Sequence, residues 1–325
     1  VVFSGAIWVS ALKANIQTTK LPARLSPTLP SSSLVTTPAQ VILLFDLDGV
    51  IRDVSGSYRR AIRATVHHFT GWCPDPTAID ALKGEGCWNN DWEASLELVR
   101  RHRLAAVDGG SALPSQALPA LGEVVEVFSR FYFGADPEGP PSQWTGFIRE
   151  ETLLVDPDFF SALTREGIAW GFVSGAEPPS AKFLLEERLG LSDPPLVAMG
   201  DAPDKPDPTG LLRLASQLAN QHGQSLGLQG PPVAYLGDTV ADVETVRRAQ
   251  TCVPDQCFLS LAVAPPHLHP PEQRIRRRIY EQGLLDAGAD YVLERTVQLQ
   301  DGSMDLIRSI LQLNYSTISV KNSCL

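Results

Sequence analysis

Residues 41–53 read VILLFDLDGVIRD, in which five consecutive apolar residues, Val41 to Phe45, run directly into Asp46, Leu47, Asp48 and Gly49. An unbroken apolar run of this length is the pattern of a strand buried on both faces, as in a parallel sheet. Carboxylates at alternate positions of an extended chain project to one side, and Gly49 permits a sharp turn after them. Taken alone, the stretch is also satisfied by a strand ending in an acidic turn. What the acids do depends on what the rest of the chain brings to the same place.

From Val41 onward, short apolar runs alternate with helical patterns, which predicts an α/β fold with a parallel sheet between helices. Further strands are predicted at 168–174 (IAWGFVS), 195–201 (PLVAMGD), 232–238 (PVAYLGD), 257–264 (CFLSLAVA) and 290–294 (DYVLE). Helices are predicted in DPDFFSALTREG, DPTGLLRLASQLANQ and ADVETVRRAQ. Three of the six strands end in Asp and one in Ser. Open parallel sheets bind ligands at the carboxyl ends of their strands, so these polar residues are placed along one edge.

About 120 residues separate the first two strands, too many for one crossover. Within them Tyr58, Ile62, Val66 and Phe69 fall on one helical stripe, and NNDWEASLELVRRHRL and PALGEVVEVFSRFYF have the same periodicity. The expected organisation is an N-terminal tail (1–40), a core (41–52 and 150–312), an inserted helical cap (53–149) and a C-terminal tail (313–325).

Three further motifs follow the first in order: FVSGA with Ser174, DKPDP with Lys205, and YLGDTVADV with Asp238 and Asp242. Gathered carboxylates would repel by roughly 4 kcal/mol per close pair at an intermediate dielectric. A divalent cation removes that repulsion, and an oxygen-rich set suits Mg²⁺. From Val41 to about Leu299 the ordered set resembles the haloacid dehalogenase superfamily, in the branch of phosphoglycolate phosphatase and beta-phosphoglucomutase. The resemblance implies a Rossmann-like core with a helical cap inserted after the first strand, and a Mg²⁺-dependent phosphatase acting on a small phosphorylated metabolite. It makes Asp46 the nucleophile that forms an aspartyl-phosphate and Asp48 the acid and base, with Ser174 and Lys205 on the phosphoryl oxygens. The metal would rest on Asp46, the Asp48 carbonyl and Asp238, with Asp242 a ligand or a partner of one. A phosphomutase on the same machinery, or a binding protein that keeps the fold, are the alternatives. Ser174 lies outside a GxSxG elbow and there is no GxxxxGK loop, which sets aside a serine hydrolase and a P-loop site.

The resemblance implies that a glycine-containing cap loop reaches into the active site, which makes Lys83, Glu85 and Asn89 of LKGEGCWNNDWEAS candidate contacts to the leaving group. A structural reading stands beside it, in which Asn90 or Asp91 caps a helix and the tryptophans fill the cap core. Arg52 and Tyr58 lie near the exit to the cap, where a substrate could approach. His67 and His68 fall in a cap helix and are read as solvated or satisfied rather than catalytic.

A formal charge of −10 and a pI near 5.1 argue against a nucleic-acid partner. The arginines of EQRIRRRIYEQG suit a solvated helix face or a site for a phosphorylated ligand. Five cysteines without metal-ligand spacing read as reduced thiols of a cytoplasmic protein. No apolar run reaches membrane-spanning length, so no membrane partner is expected. Residues 1–45 contain no acid, and their Ser, Thr and Pro content suits a flexible tail or an organellar transit segment. A monomer or a homodimer is expected.

Overall fold

The computed structural model describes residues 38–85, 88, 90–108 and 117–299. Asn89, the predicted tails apart from 38–40, and the last part of the predicted core lie outside the described residues. In chain order the chain forms β1 (Val41–Phe45), β2 (Arg52–Asp53), α1 (Tyr58–Thr70), α2 (Pro76–Lys83), α3 (Asp91–Asp108), α4 (Leu121–Tyr132) and β3 (Thr152–Leu153). It continues with α5 (Asp158–Arg165), β4 (Ile168–Val173), α6 (Pro178–Lys182), β5 (Leu196–Val197), α7 (Thr209–Gln221), β6 (Val233–Gly237) and α8 (Val240–Cys252). The last elements are β7 (Phe258–Val263), α9 (Arg274–Asp286) and β8 (Tyr291–Leu293).

Six strands form one parallel sheet in the order β5-β4-β1-β6-β7-β8. β1 is central, and its alternation serves two helical layers. Val41, Leu43 and Phe45 pack with α5 and the turn after α6, whereas Ile42 and Leu44 pack with α7 and α8. Both faces are apolar, which is why the run carries no polar alternation. The Phe45 ring meets Phe159 and Phe160 edge-on at 5.8 and 5.7 Å, the favourable arrangement for aromatic quadrupoles.

The predicted strand at 195–201 is shortened to two residues. The Asp201 carboxylate accepts from the Ala198 N–H at 2.9 Å, so a local side-chain bond takes the amide that a longer ladder would need.

A helical cap leaves the sheet after β1. Its exit and return strands pair antiparallel as β2 and β3, with Arg52 opposite Leu153 and Asp53 opposite Thr152. Tyr58, Ile62 and Val66 of α1 pack with Leu98, Val99, Phe128 and Tyr132 from α3 and α4, and Phe69 lies against the same cluster. Asn90 caps α3 by accepting from the N–H groups of Trp92 (2.9 Å) and Glu93 (3.2 Å). The unpredicted α2 begins at an Asp75 cap, which accepts from Ala78 N–H at 2.9 Å, with Pro76 in the first turn. His67 and His68 are exposed on α1, and Arg274, Arg276 and Arg278 are exposed on α9. Among the described residues no helix is long and apolar enough to cross a membrane.

Candidate active site

β1, β4 and β6 are neighbours in the sheet, with Phe45 paired to Phe172 on one side and Leu236 on the other. The residues just past their carboxyl ends are Asp46, Ser174 and Asp238. Lys205 reaches the same edge from the segment between β5 and α7, and Asp242 from the first turn of α8. One carboxylate oxygen from each of Asp46, Asp238 and Asp242 lies within 4.8 Å of the others.

Asp242 is almost fully buried and both its oxygens are occupied. Oδ2 accepts from the Thr239 N–H (2.9 Å) and hydroxyl (2.6 Å), which also closes the N-terminal cap of α8. Oδ1 accepts from Lys205 Nζ at 2.5 Å and lies 3.0 Å from the Tyr235 hydroxyl. Lys205 Nζ is also 3.0 Å from Asp46 Oδ2 and donates to the Tyr235 hydroxyl at 3.2 Å. The ammonium is therefore held by three groups, Asp242, Asp46 and Tyr235. Its pKa is raised well above the ordinary lysine range, because the pull of Asp242 and Asp46 exceeds the burial that opposes it.

Burial pushes the Asp46 carboxyl up to about 6; Lys205 draws it down, Asp242 and Asp48 push it up, and the Ser174 hydroxyl draws it down. Asp242 moves the other way: Lys205 and Thr239 hold it below the usual carboxylate range despite its burial. Asp238 is raised well above that range by burial and by the charges of Asp242 and Asp46. Its carboxylate has no hydrogen-bond or ion-pair partner among the described residues, while its backbone carbonyl accepts from Tyr280 of α9 at 2.8 Å. Gly49, at φ +75°, is required by space as well as by turn: a Cβ there would stand 2.1 Å from Asp238 Oδ2. A partnerless acid converging with Asp46 on hard oxygen donors is a set that fits a divalent cation, with Asp242 already committed to Lys205 and Thr239.

The Asp48 carboxylate is engaged by the linker that leads to the cap. Its Oδ1 accepts from Arg52 Nε at 2.6 Å, and Arg52 Nη1 donates to Glu151 Oε2 at 3.0 Å. Arg52 is wholly buried. Glu151 Oε1 accepts from the hydroxyls of Ser57 (2.6 Å) and Tyr132 (3.0 Å), and the Tyr132 hydroxyl lies 2.9 Å from Ser180 Oγ. The Tyr58 ring stacks on Tyr132 with centroids 4.3 Å apart. This network ties both linkers, β2 and the approach to β3, to the cap and to α6 of the core.

Of the cap-loop candidates, Lys83 pairs with Asp91, and Asp91 acts electrostatically on Glu177 beside the site. Glu85 faces elsewhere: its two oxygens accept from Arg101 at 2.6 and 2.8 Å, and Oε2 also from Trp88 Nε1 at 2.9 Å. Asn89 lies outside the described residues. Sequence reading passed over Tyr235, Glu151, Glu177 and Tyr280. Tyr235 sits inside an otherwise apolar strand, a polar tip where a partner is required, and was the one with a usable signal.

A family model described as haloacid dehalogenase-like hydrolase matches residues 42–250. Imidazoleglycerol-phosphate dehydratase of Phytophthora nicotianae is 32% identical over 214 residues, covering 65% of this chain and 42% of that protein. The chain thus spans less than half the length of that curated relative. Among solved structures, a phosphonoacetaldehyde hydrolase-like protein from Oleispira antarctica is similar with a TM-score of 0.57 at 17% identity, over 88% of this chain and 99% of that one. CbbY from Rhodobacter sphaeroides, in complex with phosphate, has a TM-score of 0.51 at 16% identity, over 80% and 96% of the two chains. At these identities the structural likeness bears on the fold alone.

Proposed function

Since the chain belongs to the haloacid dehalogenase-like hydrolases, we propose that it is a Mg²⁺-dependent phosphatase that cleaves monoesters of a small phosphorylated metabolite. The observation that carries this reading is Lys205 Nζ held 2.5 Å from Asp242 and 3.0 Å from Asp46, a fixed cation beside a buried nucleophile.

In the first step an Asp46 oxygen attacks phosphorus, and the bond from phosphorus to the ester oxygen breaks as the aspartyl-phosphate forms. Asp48 gives its proton to the departing alkoxide. In the second step Asp48 takes a proton from water, the water oxygen attacks phosphorus, and Asp46 leaves as a carboxylate with inorganic phosphate released. Lys205 and the Ser174 hydroxyl hold the equatorial oxygens, where negative charge is spread in the transition state. Asp46, the Asp48 carbonyl and Asp238 would hold Mg²⁺. The ion, when bound, supplies charge that shields the phosphoryl group from the anionic nucleophile.

The test is hydrolysis of p-nitrophenyl phosphate with and without Mg²⁺, with Asp46→Asn as the blank. Magnesium-dependent release of phosphate in the wild type alone is expected; no release, or equal release by the variant, overturns the reading. The Phytophthora relative is named for an enzyme of imidazoleglycerol phosphate, so phosphorylated imidazoles belong in the ester panel that follows.

A further inference from the structure

Two buried polar atoms on the cap side of the site have no hydrogen-bond partner among the described residues: Arg52 Nη2 and Glu177 Oε2. The other two nitrogens of Arg52 are engaged, Nε with Asp48 and Nη1 with Glu151. In a planar guanidinium, Nε and Nη2 donate from the same edge. One of the two unmet N–H groups of Nη2 therefore points the way the bond to Asp48 points, toward the acid that meets the leaving group in the proposed reaction. Glu177 follows Ser174 by three residues and immediately precedes α6. Arg52 is the charge that acts on it most strongly, followed by Asp91 and Asp48. A donor and an acceptor thus stand unmet in the surroundings of Asp48, which in the proposed reaction must reach the ester oxygen.

We propose that Arg52 Nη2 and Glu177 Oε2 form a leaving-group subsite for a substrate hydroxyl, which makes the substrate class the phosphate monoesters of polyols. This deepens the phosphatase reading and rests on it. A hydroxyl accepts from the guanidinium and donates to the carboxylate with one oxygen. A second phosphate or a carboxylate on the leaving group would face Glu177, Asp48 and Asp91, with Lys83 already paired to Asp91. An alkyl leaving group would bury both atoms unmet, which is the condition under which a polar site rejects an analogue most strongly.

The experiment compares kcat/KM for glycerol 3-phosphate and propyl phosphate, which differ by the two hydroxyls, with ethanolamine phosphate as a third ester and p-nitrophenyl phosphate as the reporter of phosphatase activity. Glycerol 3-phosphate is expected to exceed propyl phosphate by roughly 100-fold or more. Glu177→Ala is expected to cut that ratio at least about tenfold through the hydroxylated ester, and Glu177→Gln to fall between. Equal use of the two esters by the wild type, or an equal loss on both in Glu177→Ala, overturns the subsite. Preference for ethanolamine phosphate over both overturns it too, by showing that Glu177 meets a cation. Failure to hydrolyse p-nitrophenyl phosphate strikes the phosphatase reading instead, so the two failures are distinct.

Discussion

The two sides of Asp46 are built on different terms. On the side of the core, Asp242, Lys205, Tyr235 and Thr239 satisfy one another within about one hydrogen-bond length, drawn from β6, the start of α8 and the segment between β5 and α7. On the side of the cap, the partly exposed Asp48 and the buried Arg52 and Glu151 form an ionic chain across the two linkers, and two polar atoms are left over. A closed network suits a group that never changes, which in the proposed reaction is the phosphoryl group. An open one suits a partner that arrives with the substrate, and it is placed where the cap joins the core.

The sharpest test of the closed side is Asp46→Asn, which removes the proposed nucleophile while keeping its shape. The expected loss is on the order of 10⁴-fold or more in kcat, read by steady-state hydrolysis of an aryl phosphate. Lys205→Met comes next, with a loss of roughly 10²- to 10³-fold from the missing charge on the phosphoryl oxygens. Thermal melting separates this from misfolding, because the variant also leaves Asp242 buried without its cation. If Lys205→Met kept wild-type kcat, the closed side would be structural rather than catalytic.

The open side breaks differently. Arg52→Met strands the Glu151 carboxylate, whose pKa burial already raises; leaving a buried charge unpaired costs about 3–5 kcal/mol. Activity should fall by a smaller factor than for Lys205→Met, roughly 10- to 100-fold, because Asp48 loses its orienting partner but not its chemistry. Arg52→Lys should restore part of the stability but less of the rate, since an ammonium cannot bridge two carboxylates as a planar fork does. Chemical denaturation beside a pH–rate profile checks both, and an unchanged profile would make Arg52 purely structural.

The same division marks what could be read from the chain. β1 was legible because a run buried on both faces has one simple explanation, and the strand-end residues Asp46, Ser174 and Asp238 followed from the parallel sheet. Lys205 was legible through its order among the motifs. Arg52 was seen only as a residue near the cap exit, and nothing in VIRD foretells full burial: its partner Glu151 is 99 positions away. Glu177 was missed for the same reason, since its meaning depends on Arg52 and on Asp91 of the cap. Non-local ion pairs leave no periodicity, whereas strands and amphipathic helices do.

Metal binding should distinguish the sides by pH. The native pKa of Asp46 is about 6 against an ordinary 3.8, and Asp238 is raised as well. Between those values the native state holds protons more tightly than the unfolded chain, so stability without metal falls as pH rises from about 4 to about 6. Once the acids have ionised a cation has most to offset. Magnesium at a hundred times its dissociation constant would add about 2.7 kcal/mol, a shift of several degrees, expected near pH 7.5 and largely absent near pH 4.5. A Tm increment independent of pH would place the ion away from Asp46 and Asp238.

The smallest effect is expected at Glu85, and it bears directly on where the open side ends. Arg101 and Trp88 hold both its oxygens and draw its pKa down to about 2, so the carboxylate is spent on tying the loop to α3. Glu85→Gln should then leave the preference among phosphate esters unchanged, whereas Lys83→Ala, by releasing Asp91 beside Glu177, should alter it. Specificity constants for the two variants across one ester panel decide the matter: a change at Glu85 equal to that at Lys83 would mean that the whole loop, rather than its Lys83–Asp91 pair, faces the substrate.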